Sequence, residues 1–255
     1  MKYLSVIYPT SNRNDKVCGR LSNLRIARPT PNYEQPMTSI SESDIKKGQA
    51  VYTPLMLKLY DLWVLNISNT WIWRCPKHIQ LQQFNQNTTA NHLDIGVGTG
   101  YYLKHCQWPK QTKLALMDLN PNCLGVAKNL LHDKTPKLYL HDIFKPNAAL
   151  SAQFDSISMN YLLHCLPGTM QTKSNAIATA TTMLTPGGVL FGATILADAA
   201  LHSKTSQRLC NFYNEKGIFS NQEDTLAALK SALAQHLTDI EISVVGCVAL
   251  FKGKR

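Results

Sequence analysis

Three aspartates stand at the ends of three successive apolar runs in this chain. Asp94 lies in Leu93-Asp94-Ile95, Asp118 follows Leu114-Ala115-Leu116-Met117, and Asp142 follows the run from Lys137 to His141. An ionised carboxylate only accepts hydrogen bonds and can take two at once, which suits a vicinal diol. The first of the three runs straight into a glycine turn, Gly96-Val97-Gly98-Thr99-Gly100. Glycine has no Cβ, so it permits a tight turn and lets backbone lie close to a ligand. The dinucleotide fingerprint G-x-G-x-x-G does not fit. Counted from Gly96, its third glycine falls on Tyr101, and counted from Gly98 it falls on Leu103. The pattern is G-x-G-x-G preceded by Asp-Ile, which points to a ligand without a pyrophosphate.

These residues need strands to carry them. Short apolar runs alternate with helical stretches along the second half of the chain. Strands are expected at 92–95, 114–117, 137–141, 154–159 and 189–195. Helices are expected from Tyr101 to Cys106, from Pro121 to Leu131 with Asn120 as N-cap, from Thr169 to Leu184, and from Glu223 to His236. Such alternation predicts a parallel sheet covered on both faces, with ligands at the carboxyl ends of the strands. Ile240 to Val245 and Cys247 to Phe251 close the chain as two strands around Gly246, read as a hairpin. Pro186-Gly187-Gly188 is read as a turn before the fifth strand.

Upstream, residues 1–47 are rich in Ser, Asn, Pro, Arg and Lys without periodicity and read as a flexible or loosely docked arm. Residues 48–90 read as a helical lid or extension and linker. Val51, Leu55, Leu59 and Leu62 recur at helical spacing, and the Gln- and Asn-rich stretch at 82–91 reads as a polar linker. The segment from Val51 to Trp73 is not expected to span a membrane, because Lys58, Asp61, Asn66 and Asn69 interrupt it.

At 255 residues, with 44% hydrophobic content, the chain can build a sizeable core. A formal charge of +10 permits attraction to nucleic acid, but no basic block of five or six residues occurs. Nucleic acid is therefore not the favoured partner. The seven cysteines are widely spaced and contain no C-x-x-C, so no metal site is expected and free thiols in a reducing cytoplasm are.

The Asp-Ile-Gly-x-Gly-x-Gly motif, the three strand-end aspartates, the Pro186-Gly187-Gly188 turn and the closing hairpin resemble class I S-adenosylmethionine (SAM) dependent methyltransferases over roughly residues 90–251. The resemblance implies an α/β, Rossmann-like sheet of seven strands, mostly parallel with a terminal antiparallel hairpin. Helices cover both faces, extra helices precede the sheet, and the SAM-binding domain spans 91–255. It also assigns roles. Asp94 would face the methionine moiety, with Gly96, Gly98 and Gly100 against the cofactor. Asp118 would take the ribose hydroxyls and Asp142 the adenine amino group, with Leu119 and Ile143 packed on the adenine. Asn160 and Tyr161 would line the SAM site. His164 would lie near the acceptor and serve as general base, and Arg74 would pair with the methionine carboxylate. The amino-methylating motif N/D-P-P-Y/F is absent, since Leu162 follows Asn160-Tyr161. The expected activity is transfer of a methyl group to oxygen or nitrogen of a small-molecule metabolite. The alternatives are an RNA-modifying methyltransferase, or a SAM-binding protein that transfers no methyl.

Overall fold

The computed structural model describes residues 68–255. The expected arm over 1–47 and the greater part of the helical extension lie outside the described residues. Strands β1 (Asn91–Ile95), β2 (Lys113–Asp118), β3 (Lys137–Leu140), β4 (Phe154–Asn160) and β5 (Leu184–Ile195) are parallel. β7 (Val248–Lys254) is antiparallel to both β5 and β6 (Thr238–Val245). Together they make one seven-stranded sheet in the order β3-β2-β1-β4-β5-β7-β6. The chain leaves β1 toward β2 and β3, then returns to β4 on the other side of β1. The order reverses at that point, and a crevice opens beyond the carboxyl ends of β1 and β4.

Helices cover both faces. On one, Phe84 of α1 (Lys77–Asn87), Leu103 of α2 (Tyr101–His105) and Leu124 of α3 (Pro121–Leu130) pack with Leu114, Leu116 and Phe191. On the other, Ile177 and Ala180 of α4 (Met170–Met183) and Leu229 of α6 (Leu226–Ala234) pack with Ile157, Met159 and Leu190. The helix α5 (Lys204–Glu215) follows β5 and places Cys210 in a third cluster with Trp73 and Phe219.

Three local expectations are corrected. The stretch at 82–91 is not a linker throughout, because α1 runs through Asn87. Its polar residues disguise it. Gln80 and Phe84, one turn apart, are its buried face, and Gln83 Nε2 donates to the carbonyls of Gly192 and Phe251 at 3.2 and 3.0 Å. Polar side chains here satisfy sheet carbonyls rather than water. Second, Pro186-Gly187-Gly188 lies within β5, where the pairing with β4 slips between Phe154 and Ser156. Third, the helix expected from Glu223 begins at Leu226. Thr225 caps it by accepting from the Ala228 amide (3.2 Å), while Asn221 is buried and donates to Ile195 O (3.0 Å).

The closing hairpin is confirmed, with a loop of Gly246 and Cys247, since Val245 pairs with Val248. Gly246 has φ +61°, and a Cβ there would collide with the carbonyl of Trp73. That carbonyl accepts from the Cys247 amide at 2.8 Å. The hairpin thus clamps the segment entering α1, with Trp73 only 1% exposed.

Candidate active site

The crevice at the topological switch holds a cleft of about 460 Å³. All three predicted aspartates line it, as do Gly96, Gly98, Gly100, Leu119, Ile143, Asn160 and Tyr161. The strands bring them there by register. Asp94 pairs with Leu116 of β2 and Ser158 of β4, and Asp118 pairs with Leu140, two residues before Asp142.

The glycine turn has positive φ at all three glycines. Gly96 (φ +76°) donates its amide to Met117 O at 2.8 Å, and a Cβ there would stand 2.8 Å from Leu162 Cδ1. The positive φ favours glycine at 96, and a side chain there would also have to displace Leu162 just beyond β4. Asp94 is 5% exposed and its carboxylate accepts the Ser158 hydroxyl. Burial pushes its pKa up to about 7; the Ser158 hydrogen bond opposes that shift and the nearby Asp118 charge adds to it. Asp118 is also raised by burial, opposed by amide hydrogen bonds from Asn120 (2.8 Å), Gly98, Val97 and Leu119. The carboxylate that would take a diol is thus locked to the glycine turn by amide donors. Asp142 Oδ1 accepts from the Phe144 amide at 3.0 Å. Leu119 is 36% exposed and Ile143 is buried, giving that end of the cleft two apolar surfaces.

Asn160 ends β4, and both polar atoms of its side chain are buried without a hydrogen-bond partner. Leaving such atoms unpaired costs about 1–3 kcal/mol each, so an amide of this kind facing a cleft calls for a ligand. Tyr161 has φ +55°, which is uncommon for a residue with a side chain. Its amide donates to Ala193 O (2.7 Å) and its hydroxyl accepts from Gln80 Nε2 (2.6 Å). Gln80 Oε1 in turn accepts from the Tyr102 hydroxyl at 2.7 Å. Gln80 therefore ties α1 to two cleft residues. Sequence reasoning missed it, because a glutamine in a Gln-rich stretch carries no signal of burial.

Beyond Tyr161 the wall is largely apolar, through Leu162, Leu166, Ile218 and Phe219, with Cys165, Asn214 and Ser220 among them. The loop carrying Ile218 and Phe219 is held by a buried ion pair. Lys173 Nζ lies 2.5 Å from Asp224 Oδ2 and donates to Ser220 O at 2.6 Å, with both side chains fully buried. Burial pushes Lys173 down and Asp224 up, and each partner pulls the other back.

Two predicted site residues lie elsewhere. His164 is 2% exposed and is not part of the cleft lining. Its Nδ1 accepts from the Ile195 amide at 3.3 Å, its ring meets Phe219 edge-on at 4.6 Å, and burial together with the Lys173 charge pushes its pKa down to about 3. It is a buried histidine held neutral, packed behind the cleft residues Tyr161 and Phe219. Arg74 is also outside the cleft lining. It donates to Leu201 O and to Cys247 Sγ, on the side of the hairpin loop. None of the chain's eight histidines faces the apolar end of the cleft. His141 lines the cleft beside Asp142, with Nε2 2.8 Å from Lys145 O.

A protein-family model described as a methyltransferase domain matches residues 74–235. The physcion biosynthesis cluster O-methyltransferase of Aspergillus chevalieri is 40% identical over 212 residues, which cover 82% of this chain and 96% of that protein. The demethylluteothin O-methyltransferase of Streptomyces thioluteus is 34% identical over 212 residues, covering 83% of this chain and 92% of that protein. Among solved structures, the N-methyltransferase NodS from Bradyrhizobium japonicum WM9, in complex with S-adenosyl-L-homocysteine, shares the fold. Its TM-score is 0.52 at 19% identity, over 70% of this chain and 85% of that one. With the sheet order, the glycine turn and these matches in agreement, the chain belongs to the methyltransferase-domain family and is a class I SAM-dependent methyltransferase.

Proposed function

We propose that this enzyme binds SAM in the cleft at the β1–β4 switch and methylates an oxygen of a small, largely apolar metabolite. The observation that carries the reading is the meeting of three strand-tip carboxylates and the unpartnered Asn160 amide in one cleft beside the glycine turn. The donor set fits the cofactor. Asp94 would hold the ammonium, Asp118 the ribose diol and Asp142 the adenine amino group, while Leu119 and Ile143 take the faces of the base. Asn160 would supply the hydrogen bonds its buried amide lacks. When bound, SAM supplies a methyl group already activated on a sulfonium. The chain's own task is then positioning and exclusion of water.

The acceptor end is read from its wall. Leu162, Leu166, Ile218 and Phe219 would bury an apolar body, and the Lys173–Asp224 pair would keep Phe219 in place. No histidine base is assigned, in keeping with where the eight histidines lie. The preference for oxygen draws on the two O-methyltransferase relatives, named for a physcion biosynthesis cluster and for demethylluteothin. The six described cysteines are thiols rather than disulfides, which supports a reducing compartment such as the cytoplasm. Among the described residues, no helix is long and apolar enough to cross a membrane.

The test has two steps. Calorimetry with S-adenosylhomocysteine (SAH) should show saturable, one-site binding. Labelled-methyl transfer to a panel of small, largely apolar hydroxyl compounds should then give an O-methyl product. Transfer confined to RNA would overturn the small-molecule reading.

A further inference from the structure

A chain of buried polar side chains runs through the core from the far end of the sheet to the cleft. It exists because of strand register. His92 and Asp94 are two apart on β1, Ser156 and Ser158 are two apart on β4, and His92 pairs with Ser156 while Asp94 pairs with Ser158. All four side chains therefore share one face of the sheet. Ser158 donates to Asp94 Oδ1, His92 Nε2 lies 3.0 Å from Ser158 Oγ, and His92 Nδ1 lies 2.8 Å from Ser156 Oγ. The Thr89 amide donates to Ser156 Oγ at 2.9 Å. His92, Ser156 and Ser158 are completely buried, and the imidazole is packed against Phe84 and Phe191.

The direction of every proton follows from the carboxylate. Ionised Asp94 can only accept, so the Ser158 hydroxyl must donate to it. The Ser158 oxygen then accepts from His92 Nε2–H. Burial pushes His92 down to about 3, so the ring is neutral and carries one N–H. Nδ1 is consequently an acceptor and takes the Ser156 hydroxyl proton, and the Ser156 oxygen takes the Thr89 amide. From Ser156 through His92 and Ser158, each hydroxyl or ring N–H donates toward Asp94.

We propose that Ser158, oriented by His92 and Ser156, is a positioning residue that aims Asp94 and favours its ionised form, and so sets the pH below which capture of the cofactor's ammonium group must release a proton. This rests on the cofactor reading above. It goes further in placing control of the site in three buried residues that touch no ligand. Other titratable groups near Asp94 are Asp118 from β2, whose charge raises it, and Cys106 beyond α2, a thiol pushed up to about 11 by burial and so neutral. The Tyr102 hydroxyl of α2 is directed to Gln80.

The experiment is SAH calorimetry between about pH 6 and 9, in buffers of different ionisation enthalpy, on the full chain. In the wild type, affinity should fall about tenfold per pH unit below about 7, with proton release on binding there. The ligand's own α-amine, which stands beside a carboxylate and so titrates above the roughly 7.7–8.0 of a chain terminus, sets the upper limb. Ser158→Ala removes a hydrogen bond to a charged group and should move the acid limb up by about one to two pH units. At pH 7 affinity should then fall roughly five- to fifty-fold. Ser158→Thr should restore the wild-type profile, and Ser156→Ala should shift it in the same direction by less. A second readout needs neither variant nor ligand: the 15N spectrum of His92 should show a neutral ring protonated at Nε2. Binding whose acid limb Ser158→Ala leaves in place, or a His92 ring protonated at Nδ1, overturns this proposal alone. Absence of SAH binding at every pH overturns the cofactor reading and this proposal with it.

Discussion

Asp94→Asn should make the protein more stable and less able to bind its cofactor, and the size of the effect can be worked from the site. The folded protein moves Asp94 from 3.8 to about 7, a shift of about three units. At about 1.36 kcal/mol per unit, ionised Asp94 costs the ligand-free fold up to about 4 kcal/mol at pH 8. The sign follows from proton counting. Between about pH 4 and 7 the folded state holds a proton that the unfolded chain has lost, so wild-type stability declines as pH rises through that window and levels off above it. Asparagine keeps the shape and still accepts the Ser158 hydroxyl, but places an amide N–H₂ where nothing receives it, at a cost of about 1–3 kcal/mol. The net gain at pH 8 is about 1–3 kcal/mol, or roughly 2–12 °C in melting temperature for a domain of this size. Near pH 4 the advantage should vanish or reverse. Urea unfolding of both proteins at the two pH values measures this directly, and thermal shift with SAH measures the functional loss. A wild type whose stability does not fall between pH 4 and 8 relative to the variant would refute the assignment of a strained, ligand-awaiting carboxylate. So would a variant that binds SAH as tightly as the wild type.

Asp118→Ala should weaken SAH binding by about 1–3 kcal/mol and loosen the glycine turn, whose amides it holds; an unchanged dissociation constant in calorimetry would rule out the ribose assignment. His164→Gln should lower stability by about 1–3 kcal/mol in urea unfolding while leaving the pH profile of methyl transfer in place, because the ring is neutral and enclosed; a lost acid limb would restore it as a general base. Lys173→Met and Asp224→Leu should each cost about 3–5 kcal/mol, since each strands a buried charge, and the double variant should recover most of that loss; additive losses in the cycle would show that the pair acts independently.

How far the sequence speaks depends on whether the information is local. Asp94, Asp118 and Asp142 are legible because each sits where an apolar run gives way to a turn, and parallel strands of one sheet must end on the same side. The glycines at 96, 98 and 100 are legible for a similar reason, since each occupies a positive φ. His164 and Arg74 misled because chain position near a site does not say which way a side chain points. At Tyr161 the backbone crosses into positive φ, its side chain lines the cleft, and His164 three residues later is enclosed. The helix α1 was hidden because its polar residues serve sheet carbonyls, a partner 109 and 168 residues away in sequence for Gln83.

The same logic explains why the chain beneath Asp94 could not be read in advance. His92 looks like an ordinary strand-start histidine, and Ser156 and Ser158 look like polar interruptions in an apolar strand. Each is unremarkable alone, and 64 residues separate each hydrogen-bonded pair. Only the register that sets His92 against Ser156 also sets Asp94 against Ser158. A slip of one residue would turn β4 over and put Ile157 against the carboxylate. The alternation of Ser and apolar residues in Phe154-Asp155-Ser156-Ile157-Ser158-Met159 thus does two things at once. It buries Ile157 and Met159 against α4 and α6, and it lays two hydroxyls on the opposite face beneath the cleft. Fold specification and control of the site's charge are carried by the same four residues, Ser156, Ile157, Ser158 and Met159.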